Sequence, residues 1–241
     1  MESVDNVCAK QRILDVAAEM FSSKGFAATR VEKIAQEAGV NKALIYYYFP
    51  SKEAILDHLI ESFFQTISDT GISFIEDTIV KFKQEGRMDF HADRINFATK
   101  DDLSAFLSAT MQYYEKMLDS LLAQRQILRI IMLESLSDGK HKGVLFRYYS
   151  MMSEKEQGNP LYMTVYNADP NFDYDESVIF RKFFFSLMPL ICFAVYSHDY
   201  SEMSGQSVDS LKSICGKAIL SMWDNYLEDA SIVFQTNKTA L

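Results

Sequence analysis

The sequence predicts an all-α chain of about nine helices: an N-terminal three-helix head followed by a larger helical domain. Three observations carry this. Apolar residues recur at steps of three and four through most of the 241 residues, the period of a helix with one buried face. No strand-like alternation of useful length breaks that pattern. Between Thr29 and Phe49, two short helical patterns are separated by a three-residue, glycine-containing turn, the spacing of a helix-turn-helix. With 48 % apolar and 24 % charged residues the chain is globular in composition and long enough for one large core or two domains. The expected division is 1–50 for the helix-turn-helix head and 51–241 for the remainder.

The first helix is expected from about Asp5 to Lys24, with Ile13, Leu14, Ala17, Met20 and Phe21 facing inward and Gly25 ending it. Thr29 is placed to cap the second helix, with Glu32 reaching back in a capping box. Val31, Ile34, Ala35 and Ala38 form the apolar face of that helix, and Gly39 stops it in the left-handed conformation. Asn41 is a good N-cap for the third helix. On that helix Ile45 and Phe49 share one side, while Ala43, Tyr46 and Tyr47 point the opposite way and Lys42 and Leu44 sit at the borders. A small residue near the start allows close approach to a groove, and lysines and tyrosines around it can donate to phosphate oxygens. From Lys24 to Lys52 there are five basic residues (Lys24, Arg30, Lys33, Lys42, Lys52) against two acidic ones (Glu32, Glu37), a local net of +3 in a chain of net charge −9.

The run GVNKALIYYYFPSKEAIL, Gly39 to Leu56, resembles the signature of the TetR/AcrR family of bacterial transcriptional regulators. Upstream, Arg12-Ile13-Leu14, Ala17-Ala18, Phe21, Gly25-Phe26 and Thr29 fit the same pattern, so the resemblance covers roughly residues 11 to 57. It departs at Ala43-Leu44, where the family more often has a small Gly-Thr-like pair; an apolar contact of Leu44 with a thymine methyl is one physical replacement. The expected DNA-contacting set is Thr29, Arg30, Asn41, Lys42, Ala43, Leu44, Tyr46, Tyr47 and Lys52.

Pro50 cannot continue the third helix, and Ser51 caps a long fourth one through Leu56, Phe63 and Ile67 toward Phe82, with Gly71 as a candidate kink. Lys83 to Lys100 reads as a polar loop with a short helical turn at most. A clear amphipathic helix follows from about Asp101 to Leu122. Gln126 to Leu136 is apolar nearly all round and is expected inside the protein. Helix is expected again from His141 to Lys155, a long irregular loop from 157 to 175, and an aromatic helix from Glu176 to His198 kinked by Pro189. The last helix is expected from Ser207 to Asp229, with Leu211, Ile214, Ile219, Met222, Trp223 and Tyr226 among its apolar side.

Charge alone does not argue for nucleic acid. Residues 1 to 60 carry seven basic and eight acidic side chains against 17 and 25 in the remainder, so the acidity is mostly C-terminal. Cys8, Cys192 and Cys215 have no metal or redox spacing and suit a reducing cytoplasm. The N-terminus lacks the pattern of a signal peptide. Phe183 to Ser197, the longest uncharged run of the aromatic region, falls short of the roughly 20 residues that cross a bilayer, so no membrane partner is expected. His58, His91, His141 and His198 are dispersed, and no nucleophile elbow or phosphate loop occurs. No catalytic residue, cofactor or metal is expected, and the chain is not read as an enzyme.

The last two long helices, about 176–198 and 207–229, carry apolar stripes wide enough for a core and a partner, which suits a four-helix interface between two copies. The resemblance implies the same homodimer, and two recognition helices roughly 34–36 Å apart would read successive major grooves of double-stranded DNA. Met, Phe and Tyr are frequent in the middle helices, and Phe106, Met111, Tyr114, Met132, Tyr149, Met152, Phe184 and Met188 are the candidate lining of a pocket for a small apolar or aromatic effector. The expected function is a ligand-responsive regulator, a repressor released from a near-palindromic operator by its effector. Two alternatives are a constitutive regulator whose C-terminal domain only dimerises or recruits a protein, and a small-molecule-binding or enzymatic domain with a vestigial DNA head.

Overall fold

The computed structural model describes residues 4–91, 94–153, 159–168 and 176–229. Over these residues the chain is all-α apart from one hairpin. Twelve α segments occur, and because two pairs of them run on through a π turn they make ten helices. Contacts group them into two compact units, Met1–Thr66 with Gln124–Phe146, and Ile67–Ala123 with Arg147–Leu241. The boundary expected at residue 50 does not coincide with a boundary of either unit.

In the first unit α1 (Val4–Lys24) packs against α2 (Val31–Glu37), α3 (Lys42–Tyr48) and α7 (Arg125–Leu136). The predicted stripe of α1 is buried throughout: Ile13, Leu14, Ala17, Met20 and Phe21 are all inside. Ile34 and Ile45 are fully buried, as are Ile55 and Leu56 at the start of α4 (Lys52–Phe74). Gly25 and Gly39 have φ of 86° and 64°, the left-handed conformation that each helix end requires. The expected capping box is not formed. Arg30, not Thr29, is the N-cap of α2 and makes no side-chain cap. The Thr29 hydroxyl turns back and donates to the carbonyls of Gly25 (2.9 Å) and Met20 (3.3 Å), at the C-terminal end of α1.

In the second unit α6 (Lys100–Ala123), α11 (Met188–Ser204) and α12 (Val208–Asp229) pack on one another. α4 continues as an α-helix past Gly71; a Cβ on Gly71 would meet Leu161 Cδ1 at 3.4 Å, the distance of ordinary packing. The helix instead widens one turn later into a π segment, Ile75–Val80, before α5 (Lys81–Gln84). A second π segment, Lys182–Leu187, joins α10 (Glu176–Arg181) to α11 immediately before Pro189. Its buried positions explain it. Ile179, Phe183, Leu187 and Ile191 step by four, and at 3.6 residues per turn each step overshoots by about 40°. A widened turn takes up that lead, and Met188 N–H accordingly bonds the carbonyl five residues back, on Phe183.

Four expectations are corrected here. The polar stretch 83–100 is not a loop: β1 (Met88–His91) and β2 (Arg94–Phe97) form an antiparallel hairpin with Met88 opposite Phe97. Both ends of that pair are buried beside Phe82 and Phe106, so two inward residues suffice to seat strands too short to show alternation. Arg87 holds the base, donating to Asp102 at 2.6 Å with its guanidinium 3.8 Å from the Phe82 ring centroid. The stretch 157–175 contains a helix, α9 (Pro160–Ala168). Asn159 caps it by accepting from Tyr162 N–H (3.2 Å), and Pro160 takes the first helical position, where its missing N–H costs nothing. The helix expected from His141 is replaced by a turn, a short 3-10 segment at Val144–Phe146 and α8 (Arg147–Ser153). Nor is α7 interior all round: Leu128, Ile130 and Ile131 are buried, whereas Leu136 is 84 % exposed. Lys155 and most of the 157–175 stretch outside α9 lie outside the described residues, as do the side chains of Met222, Trp223 and Tyr226.

α10 and α11 together make the apolar helix longer than the uncharged run suggested. Ile179–Ser204 spans 26 residues and by length and composition alone could cross a bilayer; here one side of α11 packs on α6 and α12.

Within α6, Thr110 is only 2 % exposed and its hydroxyl has no hydrogen-bond partner. An unpaired buried hydroxyl costs about 1–3 kcal/mol, and an apolar group of the same shape removes that cost. Thr110→Val is therefore expected to stabilise the chain by about 1 kcal/mol in denaturant unfolding; a destabilised variant would show that the hydroxyl is satisfied in solution.

Candidate nucleic-acid interface

The local sequence places the third helix with its back to the core and its front to solvent. Asn41 accepts from Leu44 N–H at 2.7 Å, capping α3 as predicted. Ile45 and Phe49 are buried. Lys42, Ala43, Tyr46 and Tyr47 are exposed, Tyr47 by 72 %, and Leu44 is half-buried at the edge. Tyr47 and Tyr48 meet edge to face at 5.1 Å between centroids. The outward face of α3 thus offers two phenols, an ammonium and one small residue, with a thin apolar margin at Leu44.

The remaining members of the predicted set divide. Arg30 is exposed at the start of α2. Thr29 is 2 % exposed, so its side chain cannot reach a phosphate from the surface; a buried hydroxyl bonded to two carbonyls is a structural joint. Lys52 is half-buried, and its ammonium donates to the carbonyls of Phe26 (2.8 Å) and Thr29 (3.0 Å) while lying 4.3 Å from the Phe26 ring centroid. It joins the start of α4 to the loop between α1 and α2 instead of facing outward. A lysine's long apolar stem makes this possible, and sequence spacing carries no sign of it.

Two further residues on α4 matter to the head and were not singled out. Asp57 accepts from Lys140 (2.8 Å) and is 2.7 Å from His141 Nε2, which clips α4 to the loop that follows α7. Burial works to raise the Asp57 carboxyl, and these two donors outweigh it, holding it below its ordinary range. His58 lies 5.6 Å from Phe49, ring centroid to centroid, behind the C-terminal end of α3. Burial, and then the charge of Lys10, push the His58 imidazole below its ordinary value of 6.5.

The eight candidate pocket residues lie on α6, α7, α8, the second π segment and α11. Met132 belongs to the first unit. Phe106 is buried with Phe82, Met88 and Phe97, while Met152 is buried in another cluster with Ile75, Leu161 and Ile179. Tyr114 is buried, and Met111 and Met188 are half-buried. Tyr149 and Phe184 are exposed, and the Tyr149 phenol donates to Glu176 at 3.2 Å.

A short helix, a left-handed glycine turn and a second short helix standing outward from α1 make this a helix-turn-helix protein. Residues 13–59 match the family model described as bacterial regulatory proteins, tetR family. That match covers the helix-turn-helix and parts of the helices on either side of it. It is 41 % identical over 64 residues to YttP of Bacillus subtilis, named a probable HTH-type transcriptional regulator, covering 27 % of this chain and 31 % of that one. It is 54 % identical over 46 residues to the HTH-type transcriptional regulator RutR of Escherichia coli, covering 19 % of this chain and 22 % of that one. These matches span less than a third of either relative's length. The solved structure of RHA5900, described as a probable transcriptional regulatory protein, aligns over 90 % of this chain and 98 % of its own, with 17 % identity and a TM-score of 0.48.

Because the folded His58 is shifted downward, its contribution to stability is complete above its ordinary value of 6.5 and is lost as pH falls through the lower folded value. The chain is expected to melt earlier at pH 5 than at pH 8, and His58→Gln to flatten that difference. Thermal melts across this range check it, and an unchanged pH profile in the variant would assign the loss to other groups.

Proposed function

We propose that this chain is a DNA-binding transcriptional regulator, most simply a repressor, that binds a near-palindromic operator as a homodimer and is released by a small apolar or aromatic effector. Residues 1–50 are the DNA-binding part and 51–241 the effector and dimerisation part. The carrying observation is the outward face of α3, where Lys42, Ala43, Tyr46 and Tyr47 stand exposed on a helix anchored by buried Ile45. Phenols and an ammonium donate to phosphates and set the register, and Ala43 and Leu44 are free to approach base edges in the major groove. Arg30 and the Asn41 end of the helix belong to the same face, whereas Thr29 and Lys52 act by holding the loop behind it. The relatives' names as HTH-type regulators agree with this reading, under which the chain works in the cytoplasm.

The homodimer reading is supported by apolar side chains left exposed on α10 to α12. Phe180, Phe184, Phe185, Tyr196, Tyr200, Met203 and Ile214 are all open to solvent in the single chain, on the two helices expected to pair. The unpaired Thr110 hydroxyl on α6, one turn from buried Phe106 and Tyr114, would suit a largely apolar effector that carries one hydrogen-bonding group. The exposed apolar side chains of α10 to α12 equally suit a second reading, in which residues 51–241 only dimerise. A thermal-shift screen of apolar aromatic compounds, followed by operator release, separates the two.

Purified protein is expected to shift DNA from upstream of its own coding region, with log affinity falling by about 0.9 per phosphate contact for each decade of salt. Tyr47→Ala and Lys42→Ala are each expected to weaken that binding roughly 5- to 50-fold, the span of about 1–2.3 kcal/mol, with melting temperature unchanged. Gel-shift titration of folded variants measures this, and wild-type affinity in both would refute the docking of α3.

A further inference from the structure

The outward face of α3 carries a single cation. Its seven residues, Lys42–Tyr48, contain no second lysine and no arginine. The ammonium of that one lysine is already engaged: Lys42 Nζ donates to Glu32 Oε1, across the turn, from the first turn of α3 to the first turn of α2. Both groups are well exposed and both respond to the pairing. Glu32 is held below the ordinary carboxylate range, first by the hydrogen bond from Lys42, and Lys42 is raised by the same bond. The Lys42 ammonium also lies 5.6 Å from the centroid of the Tyr46 ring, on the exposed side of the helix.

We propose that Glu32 is a built-in competitor of DNA phosphate for the ammonium of Lys42, and that it lowers the sequence-independent part of DNA binding. The inference rests on the DNA-binding reading. A phosphate that approaches Lys42 meets a neutralised pair whose other member is an anion, so contact requires exchange of one anion for another. The ion balance follows. The phosphate releases a condensed cation when Lys42 binds it, but the displaced Glu32 recruits a cation of its own, and Lys42 then adds nothing net to the salt dependence. Base-edge contacts from the rest of α3 are untouched by this exchange. Weakening the phosphate contact therefore raises the ratio of specific to non-specific binding. The other lysines near this face do not substitute for it: Lys33 donates to Gln36 (2.8 Å), and Lys52 is committed to two backbone carbonyls.

The test is a double-mutant cycle on the full chain, with a short duplex of scrambled sequence as the probe and affinity measured over a range of salt. Glu32→Gln is expected to tighten binding about fivefold, the upper range for an exposed pair, and to steepen the salt slope by about 0.9. In a Lys42→Gln background the same substitution is expected to change neither. Glu32→Ala, which also removes the charge, is expected to repeat the result should Glu32→Gln fold poorly. Equal tightening in both backgrounds would overturn the inference, because it would mean that Glu32 acts only through long-range repulsion. Unchanged affinity in Glu32→Gln, with the wild type binding normally, would overturn it as well. A wild-type chain that binds no duplex at low salt would instead overturn the DNA-binding reading and this inference with it.

Discussion

The head depends on how the carbonyls of the loop after α1 find their donors. Two side chains donate there: the Thr29 hydroxyl to Gly25 and, near the end of α1, to Met20, and the Lys52 ammonium to Thr29 and to Phe26, whose carbonyl also accepts the Thr29 N–H at 3.2 Å. Buried backbone acceptors left unpaired would cost more than most surface interactions contribute. The two residues therefore fix the path of the chain between α1 and α2 and, through Lys52, the origin of α4. Phe26 adds a ring against Phe21, edge to face at 5.1 Å, and lies under the lysine. The direction in which α3 faces follows from this joint, because α2 and α3 both pack on α1.

Much of this head was legible in the sequence, because its signals are local. Gly39, Asn41 and the Ile45–Phe49 spacing each dictate a conformation within a few residues, and each is found as read. Thr29 and Lys52 were misassigned for the opposite reason. A threonine three residues before a glutamate looks like a cap, but which carbonyl its hydroxyl meets depends on the helix end nine residues earlier. A lysine at the start of a helix looks solvated unless the partner carbonyls, more than twenty residues away, are known. The hairpin was missed because only Met88 and Phe97 need face inward. At α9, a stretch that reads as irregular loop holds a helix because Pro160, after Asn159, can start one.

Charge plays a restrained part. The chain is acidic overall, the outward face of α3 carries one lysine, and that lysine has an acidic partner of its own. What the face presents in quantity is tyrosine, whose ring and hydroxyl suit contact with sugar, phosphate and base alike. A surface of this kind gains more from shape and hydrogen bonding than from field strength. The clip of Asp57 to Lys140 and His141 is likewise electrostatic but inward-looking, tying the first turns of α4 to the loop after α7 within the same compact unit.

The π segment at Lys182–Leu187 bears on how the helix it interrupts holds together. Pro189 has no N–H, so the carbonyl of Phe185, four residues earlier, lacks its usual helical donor, and the widened turn lies across that gap. The ladder of bonds that would make Glu176–Ser204 a single cooperative rod is thinnest there. Amide exchange would see two protected blocks, α10 and α11, each opening with its own neighbours: α8 for the first, α6 and α12 for the second. One helix by geometry is expected to open as two.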